Sequence, residues 1–134
     1  MYTEKIKYTD LNGNDGVYTV YFNLNKMEVV TMEWSVPGGV KQLFEQIIEE
    51  QDIHQILKWM TEILKNAYGE KSADGKRFIK TDDGWEKFTQ SAGYDDWMFG
   101  VITNPDKAAE IMRAIMPNID TLKAPALDKQ SPSA

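Results

Sequence analysis

KIKYTDLNGNDGVYTVYF, residues 5–22, decides how the fold begins. Residues 5–10 alternate, with Ile6 and Tyr8 on one face, and residues 17–22 form a β-branched and aromatic run, so both read as strands. Between them, Leu11-Asn12-Gly13-Asn14-Asp15-Gly16 is dense in residues that tolerate positive φ. The pattern predicts a β-hairpin within residues 4–23. The same loop places oxygen side chains at alternate positions, as a calcium loop does. That reading fails, because the required Gly would fall on Asp15, the bidentate Glu on Tyr21, and the flanks are strands rather than helices.

Beyond the hairpin the hydrophobic period changes from two to 3.6. Asn25-Lys26-Met27-Glu28 has the form of a capping box, so a helix should start at Lys26, with Met27, Val30 and Trp34 as its apolar stripe. Pro37-Gly38-Gly39 ends it. Val40, Leu43, Phe44, Ile47 and Ile48 keep to one stripe of a second helix. Asp52 with Gln55 caps a third, carrying Ile53, Ile56, Leu57, Met60, Ile63 and Leu64 until Gly69 offers a stop. These two helices should pack as a hairpin. Residues 70–80 are polar and turn-rich and read as an ordered loop, with Phe78 and Ile79 returning to the core.

Thr81 or Asp82 can cap a helix carrying Trp85 and Phe88, and the Ser91 region leads into another with Tyr94, Trp97, Met98, Val101 and Ile102. Asn104-Pro105 is a start signal for a last helix with Ala108, Ile111, Met112 and Ile115, which Pro117 stops. The fold class expected is α+β: an N-terminal β-hairpin followed by a mostly helical domain of five to six short helices within 26–116. Residues 1–117 make one domain. Residues 118–134, rich in Pro, Ala, Ser and Lys, read as a flexible tail because too little apolar surface offsets the entropy of ordering them.

Composition narrows the function. The chain has 134 residues, a formal charge of −6 and a pI near 4.8, which disfavours nucleic acid as a partner. It has no Cys, so disulfides, thiolate nucleophiles and thiolate zinc sites are excluded, as fits a reducing cytoplasm. The start lacks a signal-peptide pattern, and no apolar run approaches the roughly 20 residues needed to span a bilayer. No membrane association is expected.

The chemistry-bearing residues give no catalytic constellation. His54 is the single histidine, with no second ligand for a metal, and reads as a solvated helix residue. With one His and no G-x-S-x-G elbow, the local sequence gives nucleophilic serine chemistry no support. Asp82-Asp83, Asp95-Asp96 and Glu49-Glu50 read as solvated helix starts and faces. Lys71, Lys76, Arg77 and Lys80 form the one positive cluster, whose order and spacing do not match a phosphate loop. No cofactor is expected, and the chain reads as non-enzymatic. Four tryptophans, Trp34, Trp59, Trp85 and Trp97, lie in or near helical stripes, where a ring more often fills a core than binds a ligand. Trp59 falls slightly off its stripe, and Trp59, Trp97 and Phe44 are the candidate protein-binding residues.

KNAYGEKSADGKRFIK, residues 65–80, resembles a segment of the tail assembly chaperones of long-tailed bacteriophages. On either side, YFNLNK at 21–26, Gly38-Gly39, Phe88-Thr89-Gln90 and DKAAE at 106–110 followed by Pro117 are similar to other parts of that family, so the resemblance covers most of residues 3–117. Gly84, Gly93 and Gly100 depart from it, standing where better helix formers are expected. The resemblance implies an ATP-independent assembly factor of the host cytoplasm. Such a factor binds the tape measure protein, keeps it soluble until tail tube subunits polymerise, and is absent from the finished virion. Self-association, contact with the tail tube protein and a longer frameshifted form are further expectations that the resemblance raises. The amphipathic helices around 40–67 and 94–116 would then leave an apolar strip for tape measure segments or a second copy. The rival readings are a structural tail or connector component and a small acidic adaptor or inhibitor of a host protein.

Overall fold

A computed structural model describes residues 1–50 and 52–116, apart from the side chains of Phe44, Ile47 and Ile48. The expected stop at Pro117 and the tail at 118–134 lie outside the described residues. The α+β class holds: an N-terminal hairpin begins a four-stranded sheet, and six helices are found among the described residues.

Strands β1 (Tyr2–Thr9) and β2 (Asp15–Phe22) pair antiparallel with Ile6 opposite Tyr18 and Tyr2 opposite Phe22. Asp10 makes the turn: its Oδ1 accepts from the backbone N–H groups of Asn12 and Asn14, each at 2.9 Å. That oxygen therefore does the work of a turn, not of a metal ligand.

Helix α1 (Lys26–Ser35) begins with the expected capping box, Asn25 Oδ1 accepting from Glu28 N–H and Glu28 Oε1 from Asn25 N–H. Its buried face differs from the expected one. Val29 and Glu33 are buried, whereas Met27 and Trp34 are exposed and Val30 is half-buried. Glu33, only 6 % exposed, turns inward so that its Oε1 accepts from Val40 N–H at 2.9 Å, capping α2 (Val40–Glu50) from outside that helix. The turn between them needs Gly39, whose φ is +90° and whose added Cβ would sit 2.2 Å from Glu33 Oε2.

Helix α3 (Ile53–Ala67) starts at Asp52, whose Oδ1 accepts from His54 and Gln55 N–H. α2 and α3 touch, and α6 (Pro105–Ile115) packs on both. The expected stop at Gly69 and loop at 70–80 are corrected here. The helix gives way at Tyr68 to strand β3 (Tyr68–Lys71), which pairs with β2, and β4 (Phe78–Ile79) pairs with β3, so the segment is a second hairpin completing the order β1-β2-β3-β4. Gly69 is a place of close approach instead: a Cβ there would meet the Ile79 carbonyl at 2.6 Å. The connecting turn is held by Ser72, whose N–H bonds Arg77 O at 2.8 Å and whose hydroxyl donates to Asp74 at 2.6 Å.

The remaining helices are α4 (Gly84–Thr89) and α5 (Tyr94–Ile102), followed by α6. Neither Thr81 nor Asp82 caps α4 with its side chain; the flanking residue is Asp83, and a backbone bond from Gly84 N–H to Thr81 O makes the entry. Asn104 does cap α6, accepting from Lys107 N–H. Two of the three unexpected glycines lie at helix starts, Gly84 as the first residue of α4 and Gly93 just before α5. Gly93 has φ +90° and lies against β1, where a Cβ would be 2.7 Å from Ile6 Cγ2. Only Gly100 lies inside a helix, with nothing within 4 Å of an added Cβ.

The core is the space between the inner face of the sheet and the helices. Ile6, Val20 and Phe22 meet Ile56, Met60 and Leu64 of α3, Phe88 of α4, Val101 of α5 and Ile111 and Ile115 of α6. Its centre is aromatic: the ring of Phe88 stacks on Tyr68 at 5.3 Å and meets Tyr94, Trp85, Phe22 and Trp97 at 5.1–6.3 Å. Tyr18, also beside Phe88, donates to Ala92 O at 3.0 Å and ties the hairpin to the α4–α5 turn. Burial holds the hydroxyls of Tyr2, Tyr18, Tyr68 and Tyr94 above the ordinary tyrosine value of 10.0, and for Tyr2 a hydrogen bond to Glu4 adds to it.

Three outcomes are expected. Glu33→Ala removes the internal cap of α2 and lowers unfolding free energy by about 1–3 kcal/mol, with Glu33→Gln losing less because an acceptor remains; equal urea midpoints for Glu33→Ala and the parent would refute this role. Gly93→Ala costs about 2–4 kcal/mol from positive φ and contact with β1, whereas Gly100→Ala gains about 0.5–1 kcal/mol, so the same substitution shifts thermal midpoints in opposite directions. The raised tyrosine values mean the folded chain keeps these protons longer than the unfolded one. Their contribution is intact below about pH 10 and lost as pH climbs past it, so unfolding free energy should be level to about pH 9 and drop by pH 11, in step with tyrosinate absorbance.

Candidate protein-binding surface

The three candidate residues from the sequence occupy different settings. Trp59 on α3 is half-buried and lines an apolar hollow with Met32, Val36, Val40, Leu43, Ile63 and Met112, and Lys58 Nζ stands 5.6 Å from its ring centre. Trp97 on α5 is also half-buried, but its ring lies parallel to Phe22 at 5.8 Å within the aromatic centre. Its Nε1 is buried without a hydrogen-bond partner among the described residues. Trp97 is not among the described residues that line the hollow of Trp59. The side chain of Phe44 on α2 is outside the described residues.

Large apolar side chains do reach the surface elsewhere. On α1, Met27 and Trp34 are 68 % and 59 % exposed. On α3, Ile53 and Leu57 stand one turn apart at the edge of the wide apolar stripe, both exposed, because the stripe is broader than the groove its neighbours cover. On α5, Phe99 is 66 % exposed, consistent with its place outside the Trp97, Met98, Val101 and Ile102 stripe. Phe99 could therefore have been found from periodicity. Trp34 could not, because α1 carries two apolar stripes and the core takes Val29, Met32 and Val36 in place of Met27, Val30 and Trp34. Each such ring or branched chain left in water represents surface worth about 25 cal/mol per Å² once covered, and Trp is the side chain that most often anchors an interface.

Charged residues surround these positions. Glu49, Glu50, Asp82, Asp83, Asp95 and Asp96 are all exposed, and so is His54. Asp74 is held below the usual carboxylate value by the Ser72 hydroxyl and then by Lys76 N–H, a turn-stabilising arrangement on the open surface. Of the basic cluster, Lys71, Lys76 and Arg77 are exposed, while Lys80 reaches Glu28 of α1 at 2.8 Å. Among the described residues no group of three or more His, Asp or Glu side chains is placed to hold a metal ion, and no helix is long and apolar enough to cross a membrane.

What this arrangement offers a polypeptide is uncovered apolar side chains on three helices, with the exposed carboxylates of Asp95 and Asp96 one turn before Phe99 on α5. Comparison with curated proteins and with solved structures finds no match. A family model described as phage tail assembly chaperone matches residues 1–130. With nearly the whole length matched, the chain belongs to the phage tail assembly chaperone family.

Proposed function

We propose that this chaperone binds the tape measure protein in the host cytoplasm and holds it soluble, without nucleotide, until the tail tube forms around it, and that it is left out of the finished virion. No catalysis is part of the proposal. The observation that carries it is the exposure of Trp34, Ile53, Leu57 and Phe99 on α1, α3 and α5. A long helical client presents apolar residues at intervals of three and four, and such a stripe is covered by short-range contacts of this kind. Trp59 and Trp97, both half-buried, and Phe44 are secondary contacts in the same proposal. Holding by mass action suits it: a partner that occupies the client's apolar stripes removes them from self-association, and no energy input is needed.

The proposal is tested by co-expressing the chain with the tape measure protein of its genome. The client should stay soluble and co-purify only when the chain is present. Replacing Trp34, Leu57 and Phe99 together by Ala should weaken the complex by about 2 kcal/mol or more, roughly thirtyfold, and return much of the client to the pellet while the variant itself stays folded. A client that aggregates whether or not the chain is present, or finished particles containing the chain in stoichiometric amount, would remove this reading in favour of a structural tail component.

A further inference from the structure

The charges of this acidic chain are not evenly spread. Residues 1–24 and 68–80, which form the sheet and its turns, carry six Lys and Arg against five Asp and Glu, whereas 25–67 and 81–116, the helical part, carry seven against fourteen. Cross-strand partners share a face, so the register sorts the sheet. Ile6, Phe22 and Tyr68 point into the core; Thr3, Tyr21 and Gly69 form a row on the opposite face, Lys5 and Lys7 lie beside Thr19 and Val17 on that face, and Lys71 pairs there with Phe78. Among the described residues no helix covers this outer face, where Lys5, Lys7 and Lys71 stand exposed.

At the end of the outer face, between the second hairpin and the start of α1, lies an open basin of about 510 Å³. Lys71, Lys76, Arg77 and Lys80 line it with Phe78, and among the described residues its one carboxylate is that of Glu28. Lys80 holds both oxygens of Glu28, at 2.9 and 2.8 Å. Lys71, Lys76 and Arg77 have no ion pair among the described residues. Three unpaired cations therefore converge on one hollow in a chain of net charge −6. At physiological salt the screening length is about 8 Å, so this local excess, not the net charge, is what a ligand in the basin meets.

We propose that this basin is a docking site for a short acidic segment of another polypeptide, whose carboxylates pair with Lys71, Lys76 and Arg77. A carboxylate-bearing segment fits better than a nucleic acid strand for two reasons. The rings that could stack bases are already capped by ammonium groups, Lys71 Nζ 5.8 Å from the centre of Tyr21 and Lys80 Nζ 5.9 Å from that of Phe78. A long polyanion would also run on past the basin toward the fourteen carboxylates of the helical part, whereas a segment of a few residues ends within it. Arg77 adds the planar fork that a carboxylate engages with two parallel bonds. The site is distinct from the exposed apolar residues on α1, α3 and α5 and does not depend on the holding role.

The test is fluorescence polarisation on the full chain with a labelled octaglutamate peptide, its octaglutamine counterpart and a labelled oligothymidine of similar length. The glutamate peptide should bind and the glutamine peptide should not. Raising NaCl from about 50 to about 300 mM should weaken binding several-fold. The combined change Lys71→Glu, Lys76→Glu and Arg77→Glu should weaken it at least tenfold, whereas Lys87→Glu on α4 and Trp34→Ala on α1 should leave it within about twofold, all variants being checked for native circular dichroism. Tighter binding of the oligothymidine, equal binding of both peptides, no binding of either, or an affinity unmoved by the triple reversal would each overturn the proposal. So would light scattering that shows the parent chain self-associated and the triple variant monomeric, since a second copy would then be the occupant.

Discussion

The hydrogen bond from Asn23 N–H to Ala67 O, at 2.8 Å, joins the end of the first hairpin to the last residue of α3. At that point the chain changes from helix to strand without a loop, and Tyr68 and Gly69 fall directly beside Phe22 and Tyr21. Everything else is arranged around this junction. Because α3 enters the sheet as β3, its apolar stripe must lie across the inner face, with Ile56, Met60 and Leu64 over Ile6, Val20 and Phe22. The second hairpin is then pinned at the far side, α4 and α5 close over Tyr68 and Phe22 through Phe88 and Trp97, and α6 fills the space between α3 and α2. A helix that ended on a left-handed glycine and a free loop would leave the hairpin with two strands, which alone are marginal in water.

Much of this was legible in the sequence where the signal is local. The first hairpin, the capping box at Asn25, the caps at Asp52 and Asn104, and the buried stripe of α6 all follow from residues within one turn of each other. What was not legible depends on distant partners. Residues 68–71 pair only because β2 is beside them, and a four-residue strand containing Gly and Lys has no periodic signature of its own. Helix α1 carries two apolar stripes, and tertiary contact decides between them: Val29, Met32 and Val36 pack on the core, while Glu33 on the same face reaches Val40 seven residues on. Gly93 read as a poor helix former, when it is the point at which α5 passes close to β1. The surface divides in the same way: Phe99 stands outside its stripe by spacing alone, whereas the exposure of Trp34 is set by tertiary contact.

The two sides of the molecule have different chemistry, and a tail assembly chaperone has use for both. Its helical side joins uncovered apolar residues to an excess of carboxylates, so like charge acts there at long range and apolar contact at short range. Its sheet side is open, carries the unpaired cations, and has rings shielded by lysines, so it offers charge pairing more than apolar burial. Affinity on the first side should rise with the client's apolar surface, and on the second with its charge and with low salt.

The two apolar stripes of α1 lie on roughly opposite sides. Val29, Met32 and Val36 pack against the core, with Glu33 among them reaching the start of α2, while Met27 and Trp34 face outward. Glycine at position 39 gives the Glu33 carboxylate its room. Folding uses one of the two stripes and leaves the other outside, so a partner that covers Met27 and Trp34 gains apolar contact without disturbing the packing of the helix.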